Sequence, residues 1–148
     1  MNKHLLFFLQ LILFSLIISG CSKTDTPEKA VNEIIEAYNT KNIEVFWDRT
    51  MPSDKYAISK NMLENIENRD LFEMMCYVLE KDNVTPDNIT AEEYLYGTFK
   101  VILGDNEMEL KSLDKIDDNT YTATILIGEK QAVMPLRKEN DKWYMQVE

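Results

Sequence analysis

Apolar and polar positions change period along this chain, and each change marks a different kind of element. From residue 30, Ala30, Val31, Ile34, Ile35 and Tyr38 recur at helical spacing, with Asn32, Glu33, Glu36 and Asn39 on the opposite face. That spacing predicts an amphipathic helix packed on a core. Thr26-Pro27-Glu28 supplies its start: a side-chain cap, a proline at the first position where no N–H is needed, and an acid in the favourable first turn. Asn39 to Asn42 interrupts the pattern, and Asn42 is placed to cap a short helix, IEVFWDR, that presents Val45, Phe46 and Trp47. A third helical region carries Ile58, Met62 and Ile66 at intervals of four, breaks over Glu67 to Asp70, and resumes with Leu71, Met74, Met75, Val78 and Leu79, as one kinked helix or two shorter ones. Thr90-Ala-Glu-Glu93 has the form of a capping box and predicts a further helical turn or two before Gly97.

After Gly97 the period shortens from about four to two, the strand period. Phe99, Val101 and Leu103 alternate with Lys100 and Ile102, then Met108 and Leu110 with Glu107, Glu109 and Lys111. Tyr121, Ala123, Ile125 and Ile127 follow, then QAVMPLR, then KWYMQV. The separators Gly104-Asp-Asn106, Asp117-Asp-Asn119, Gly128-Glu129 and Glu139-Asn-Asp141 carry hairpin chemistry. These patterns predict an α+β domain, with N-terminal helices packed on a curved antiparallel meander sheet of about five strands. Pro135 cannot donate to a ladder, so its strand is expected at an edge or at a bulge.

The N-terminus reads differently. One Lys within Met1 to His4 precedes an apolar run from Leu5 to Ser19 broken only by Gln10, the layout of a secretory signal. A run of that length makes a helix of roughly 22 Å, short of the roughly 30 Å core that a permanent span must cross. The run ends in Ile18-Ser19-Gly20-Cys21, which resembles the lipobox of bacterial lipoproteins. The resemblance implies cleavage after Gly20 and a diacylglycerol on the Cys21 thiol; the competing reading is ordinary signal cleavage beside an unrelated cysteine. Residues 1–20 would then be a removed signal peptide, 21–26 the lipidated cysteine and a short tether, and 27–148 a single domain. Each buried methylene contributes about 0.8 kcal/mol, and two or three acyl chains make attachment effectively stable. The expected location is a bacterial cell envelope, on a membrane outside the cytoplasm.

Loss of residues 1–20 removes one Lys and no acid, which leaves 15 basic and 26 acidic side chains, a formal charge of −11. Nucleic acid is therefore not an expected partner, because its affinity rests on cations neutralising phosphates. The expected partners are the membrane, through the N-terminal lipid, and an unknown protein or a small apolar ligand. Cys76 has no second thiol to pair with once Cys21 is acylated, and it reads as a buried small hydrophobe.

The stretch DTPEKAVNEIIEAYNTKNIEVFWD resembles the opening of small bacterial lipoproteins with a nuclear-transport-factor-2-like, or cystatin-like, domain, and DKWYMQV resembles their closing strand. That resemblance implies a sheet curved around the long helix to leave a cone-shaped cavity. Family members use the cone as an enzyme site, as a small-molecule pocket or only for protein contacts, so function is left open. Residues 50–97 carry more helix than the family would lead one to expect.

Catalytic members of that superfold usually place an Asp or a His in the cone, and the only histidine here, His4, leaves with the signal. No catalytic residue, cofactor or metal is assigned. Tyr38, Trp47, Asp48 and Tyr56 are the candidate pocket residues, with Asp48 the best acid because an adjoining indole can raise a carboxyl pKa. Asp114, Asp117 and Asp118 lack the spacing of a calcium loop and suit hairpin turns instead. The leading expectation is a lipid-anchored, non-enzymatic binding domain. A small enzyme built on Asp48 and an assembly or protective lipoprotein matched to a basic protein are the alternatives. Labelling cells with a radioactive fatty acid should mark the unaltered protein and leave Cys21→Ser unmarked; label surviving that substitution would remove the lipid anchor.

Overall fold

The helical layer is written in its caps. In the computed structural model, which describes residues 24–65 and 67–147, Thr26 Oγ1 accepts the Lys29 N–H at 3.1 Å and starts α1 (Pro27–Asn39). Asn42 caps α2 (Ile43–Asp48) in the same way through the Val45 N–H. The third helical region is two helices, α3 (Pro52–Glu64) and α4 (Arg69–Leu79), the second capped by Asn68. Cys21 and Gly20 lie outside the described residues, as does Ile66, expected on the apolar stripe that ends α3.

The capping box at Thr90 is present, with each partner bonding the other's backbone, but the helix it starts runs on as α5 (Ala91–Leu103). The segment from Phe99 to Leu103, expected as the first strand, is helical. A short apolar run fits both periods: Leu95, Phe99 and Leu103 also lie four apart, and helical continuity from the cap decides between them. Gly97 does not break the helix because it is where α4 comes close. A Cβ there would lie 3.2 Å from Met75 Cγ and 3.6 Å from Leu79 Cδ1. The chain turns instead at Gly104, whose φ of 96° lies in the region that glycine adopts without strain.

The sheet accordingly has four strands rather than about five: β1 (Met108–Asp117), β2 (Thr120–Ile127), β3 (Lys130–Glu139) and β4 (Lys142–Met145), antiparallel in the order β1-β2-β3-β4. Asn140 and Asp141, both at positive φ, close the last hairpin in the manner of a type I′ turn. A register shift between Leu110 and Ser112 absorbs one residue, so Met108, Leu110 and Leu113 share a face although their numbering changes parity. That face, with Ala123, Ile125, Ile127, Met134, Leu136, Trp143 and Met145, packs under the helices around Val31, Ile34, Tyr38 and Phe46.

Arg49, 5% exposed, ties the layers together. Its guanidinium donates to both carboxylate oxygens of Asp25 at 2.7 and 2.9 Å, to Glu33 of α1, and to the Trp143 carbonyl of β4 at 3.0 Å. The Trp143 N–H donates back to Asp25 at 2.7 Å. The Arg49 carbonyl accepts the Met145 N–H, and the Met51 N–H reaches the Met145 carbonyl. Asp25, expected within the tether, is therefore part of the fold.

Burial works to raise the Asp25 pKa, and it is outweighed by the hydrogen bonds from Arg49 and the Trp143 N–H together with the Arg49 and Lys29 charges, so the carboxyl is held below its ordinary value of 3.8. A depressed folded pKa contributes stability that is complete above the ordinary value and is lost as pH falls through the folded one. Urea unfolding followed from neutral pH down to about pH 2 should show that loss in the unaltered protein and less of it in Asp25→Asn. Arg49→Ala, which strands two carboxylates, should cost about 3–5 kcal/mol at neutral pH in the same measurement. At the α4–α5 crossing, Gly97→Ala should be close to neutral, since helix propensity offsets a small shift of Met75. Gly97→Leu should lower stability by about 1–3 kcal/mol.

Candidate functional site

Beyond Met145 the last strand does not continue along β3. The Gln146 N–H makes one more bond, to the Pro135 carbonyl at 2.9 Å. The Val147 N–H then turns to Asp54 Oδ2 at 2.8 Å, at the start of α3. β4 is 4 residues long against 10 for β3, so among the described residues the first half of β3 has β2 on one side and no strand on the other. Pro135 sits where β4 ends, so its missing N–H falls on a local edge, although β3 is an interior strand in the sheet order.

The space left open is a cleft of about 540 Å³. One wall is α5, with Leu95, Phe99, Ile102 and Leu103; the other is α3, with Ala57 and Ile58. Ile125, Ala132, Met134 and Met145 form the apolar floor, and Val133 and Pro135 line the β3 side. Among the described residues none that lines it carries a charge, in a chain of which 28% is charged. A volume in this range suits a small ligand or a short chain segment.

Its polar groups gather where α3 faces α5. The Tyr94 hydroxyl donates to Asn61 Oδ1 at 2.8 Å, and Asn65 Nδ2 donates to the same oxygen at 2.7 Å. With that oxygen engaged, the Asn61 Nδ2 has no protein partner among the described residues and is a donor for an incoming group. Thr98 Oγ1 donates to the Tyr94 carbonyl at 2.7 Å, as a helical threonine does, and keeps its lone pairs for a second partner. Burial raises the Tyr94 phenol above its ordinary value, so it stays protonated and remains a donor. Among the described residues the lining holds no carboxylate, amine, imidazole or thiol; the arrangement can sort a ligand by shape, apolarity and a neutral hydrogen-bonding end.

The four residues expected to form a pocket are not brought together, and none lines this cleft. Tyr38 is fully buried in the core, its hydroxyl donating to the Gly104 carbonyl and its ring under Lys100 Nζ at 3.9 Å. Burial, assisted by the Asp105 charge, pushes its pKa up to about 12. Trp47 is half-buried and carries Lys55 Nζ 4.8 Å above its ring. Asp48 is exposed, and Tyr56 is 79% exposed. Of the residues the sequence reading missed, Phe99, Ile102 and Leu103 were assigned to a strand, and Asn61 and Thr98 had no signal beyond being polar residues beside apolar ones.

Lys100 is a second unusual group, 5% exposed, above the Tyr38 ring and 4.0 Å from Asp105 Oδ1. Burial lowers its pKa, Asp105 opposes the shift and Lys41 adds to it. It reads as a structural cation–π contact. Cys76 is half-buried, and its Sγ accepts the Val84 N–H at 3.2 Å. Among the described residues no group of three or more His, Cys, Asp or Glu side chains is placed to hold a metal ion. Comparison with protein-family models, with curated proteins and with solved structures finds no match to this chain.

Proposed function

We propose that this chain is a non-enzymatic binding domain of a bacterial cell envelope, lipid-anchored through Cys21 to a membrane outside the cytoplasm, and that it takes an uncharged, apolar partner in the cleft between α3, α5 and β3. The observation that carries the reading is the lining: mainly apolar, and among the described residues without a charge, on a protein whose net charge is −10. Leaving such a surface open costs about 25 cal/mol for each square ångström of apolar area kept wet, and a matching occupant recovers that. In this reading the cleft corresponds to the mouth of the cone in nuclear-transport-factor-2-like domains, with the diverted C-terminus forming one lip. Among the described residues no helix is long and apolar enough to cross a membrane; the attachment proposed rests on the lipobox resemblance of Ile18-Ser19-Gly20-Cys21.

An enzyme built on Asp48 finds less support, since that carboxylate is exposed and stands outside the cleft. Nile red, a neutral apolar dye, tests the binding reading on the processed chain carrying Cys21→Ser, which needs no detergent. Its fluorescence should rise on titration with the protein. Ile102→Glu places a charge in the lining at a position already 64% exposed, where folding is little affected, and should weaken binding by roughly tenfold or more. Dye binding that is indifferent to this substitution would place the apolar site elsewhere.

A further inference from the structure

The two edges of the sheet are treated differently. β1 is interrupted by register shifts between Leu110 and Ser112 and between Lys115 and Asp117, and it carries Glu109, Lys111, Asp114, Lys115 and Asp117. Bulges and charges of this kind keep an edge from pairing with another chain. The open half of β3 pairs with β2 without a register shift, and its one charge, Lys130, stands at the start of the strand with Nζ 3.5 Å from the Ile102 carbonyl; from Gln131 to Pro135 it reads Gln-Ala-Val-Met-Pro and holds no charge. Along an antiparallel strand, backbone groups point alternately to the two sides. The Pro135 carbonyl faces β4, where it accepts the Gln146 N–H. Val133 and Gln131 therefore direct their N–H and carbonyl groups to the same side, where β4 has already departed. Val133 is 62% exposed.

Among the described residues, an unprotected edge with free backbone donors and acceptors thus runs along a mainly apolar cleft without charge. Resting on the reading of that cleft as a binding site, we infer that its occupant is an extended, uncharged polypeptide segment that adds to β3 as a strand in the place β4 vacates. Backbone hydrogen bonds to Gln131 and Val133 hold it, and alternate apolar side chains enter the cleft against Phe99, Ile102 and Met134. The match is in charge as well as in shape: a charged side chain at an inward position would meet no counter-ion among the described lining residues. Pro135 marks the end of the docking edge, since beyond it β4 occupies the ladder.

The test uses the processed chain with Cys21→Ser and, as probe, a capped, uncharged peptide of alternating valine and threonine. A second peptide of the same sequence, N-methylated at every residue, keeps the apolar side chains and loses the backbone donors of both edges. The unmethylated peptide should bind, displace Nile red, and slow amide exchange at Gln131 and Val133; the methylated one should bind at least tenfold more weakly. Val133→Pro, which deletes the edge N–H, should lose the peptide and keep the dye. If that variant does not fold, the two peptides compared on the parent chain decide the matter. Equal affinity for both peptides, or dye binding with no peptide binding, would overturn strand addition and leave the cleft as a small-molecule site. Loss of both dye and peptide binding would overturn the cleft itself. Concentration-dependent protection of Gln131 and Val133 without any peptide would instead identify a second copy of this chain as the occupant and overturn the inference.

Discussion

A single buried guanidinium joins what the chain keeps farthest apart. Arg49 follows α2, yet its donors are taken by Asp25 before α1, by Glu33 within α1 and by the Trp143 carbonyl in β4. Burying a cation is costly unless its donors are satisfied and its charge is paired, and the planar fork of arginine allows both at once. Two carboxylates meet it, and one of them also receives a backbone N–H from the last strand. Removing the cation would leave those acids facing one another in a half-buried site, so this contact holds helices to sheet in a way that apolar packing alone does not.

The cleft follows from what happens a few residues further on. Once Trp143 and Met145 are fastened to Asp25, Arg49 and Met51, the remaining residues are drawn toward α3 by the bond from Val147 to Asp54. The strand cannot both reach Asp54 and continue along β3. The open edge is thus the geometrical counterpart of a well-anchored C-terminus. The elements that build the cleft also explain its lining: α5 turns an apolar face inward, and α3, of whose side chains only Ile58 is buried, closes the other wall loosely.

Much of this architecture is legible in the residues alone. Thr26-Pro27, Asn42 and the Thr90–Glu93 box each act locally, through a side chain and a nearby N–H, and each starts a helix where its chemistry says it should. The hairpins are equally local, down to the positive φ at Asn140 and Asp141. The end of α5 was not legible, because Phe99 to Leu103 satisfies both periods and only continuity with the preceding helix settles which prevails. The cleft was less legible still. Its residues come from α3, α5, β2, β3 and the C-terminus, and nothing near Asn61 or Val133 announces that they share a space. Tyr38 and Trp47 drew notice as aromatics on predicted helices, and packing consumed them. Asp25 was read as linker because an isolated acid carries no sign of a partner at residue 49.

The fastening of Asp25 bears on how the globule sits on its membrane. With Cys21 acylated as proposed, only residues 22 to 24 separate the lipid from a point rigidly joined to the sheet. Four residue steps span at most about 14 Å, a little beyond the roughly 8 Å over which charges are felt at physiological salt. Only a fully stretched tether would carry the attachment point clear of head-group repulsion, and the leash is too short to let the acidic body tumble freely. The last hairpin, beside the leash's attachment point, would stay nearest the bilayer, and whatever enters the cleft would arrive from a restricted range of directions.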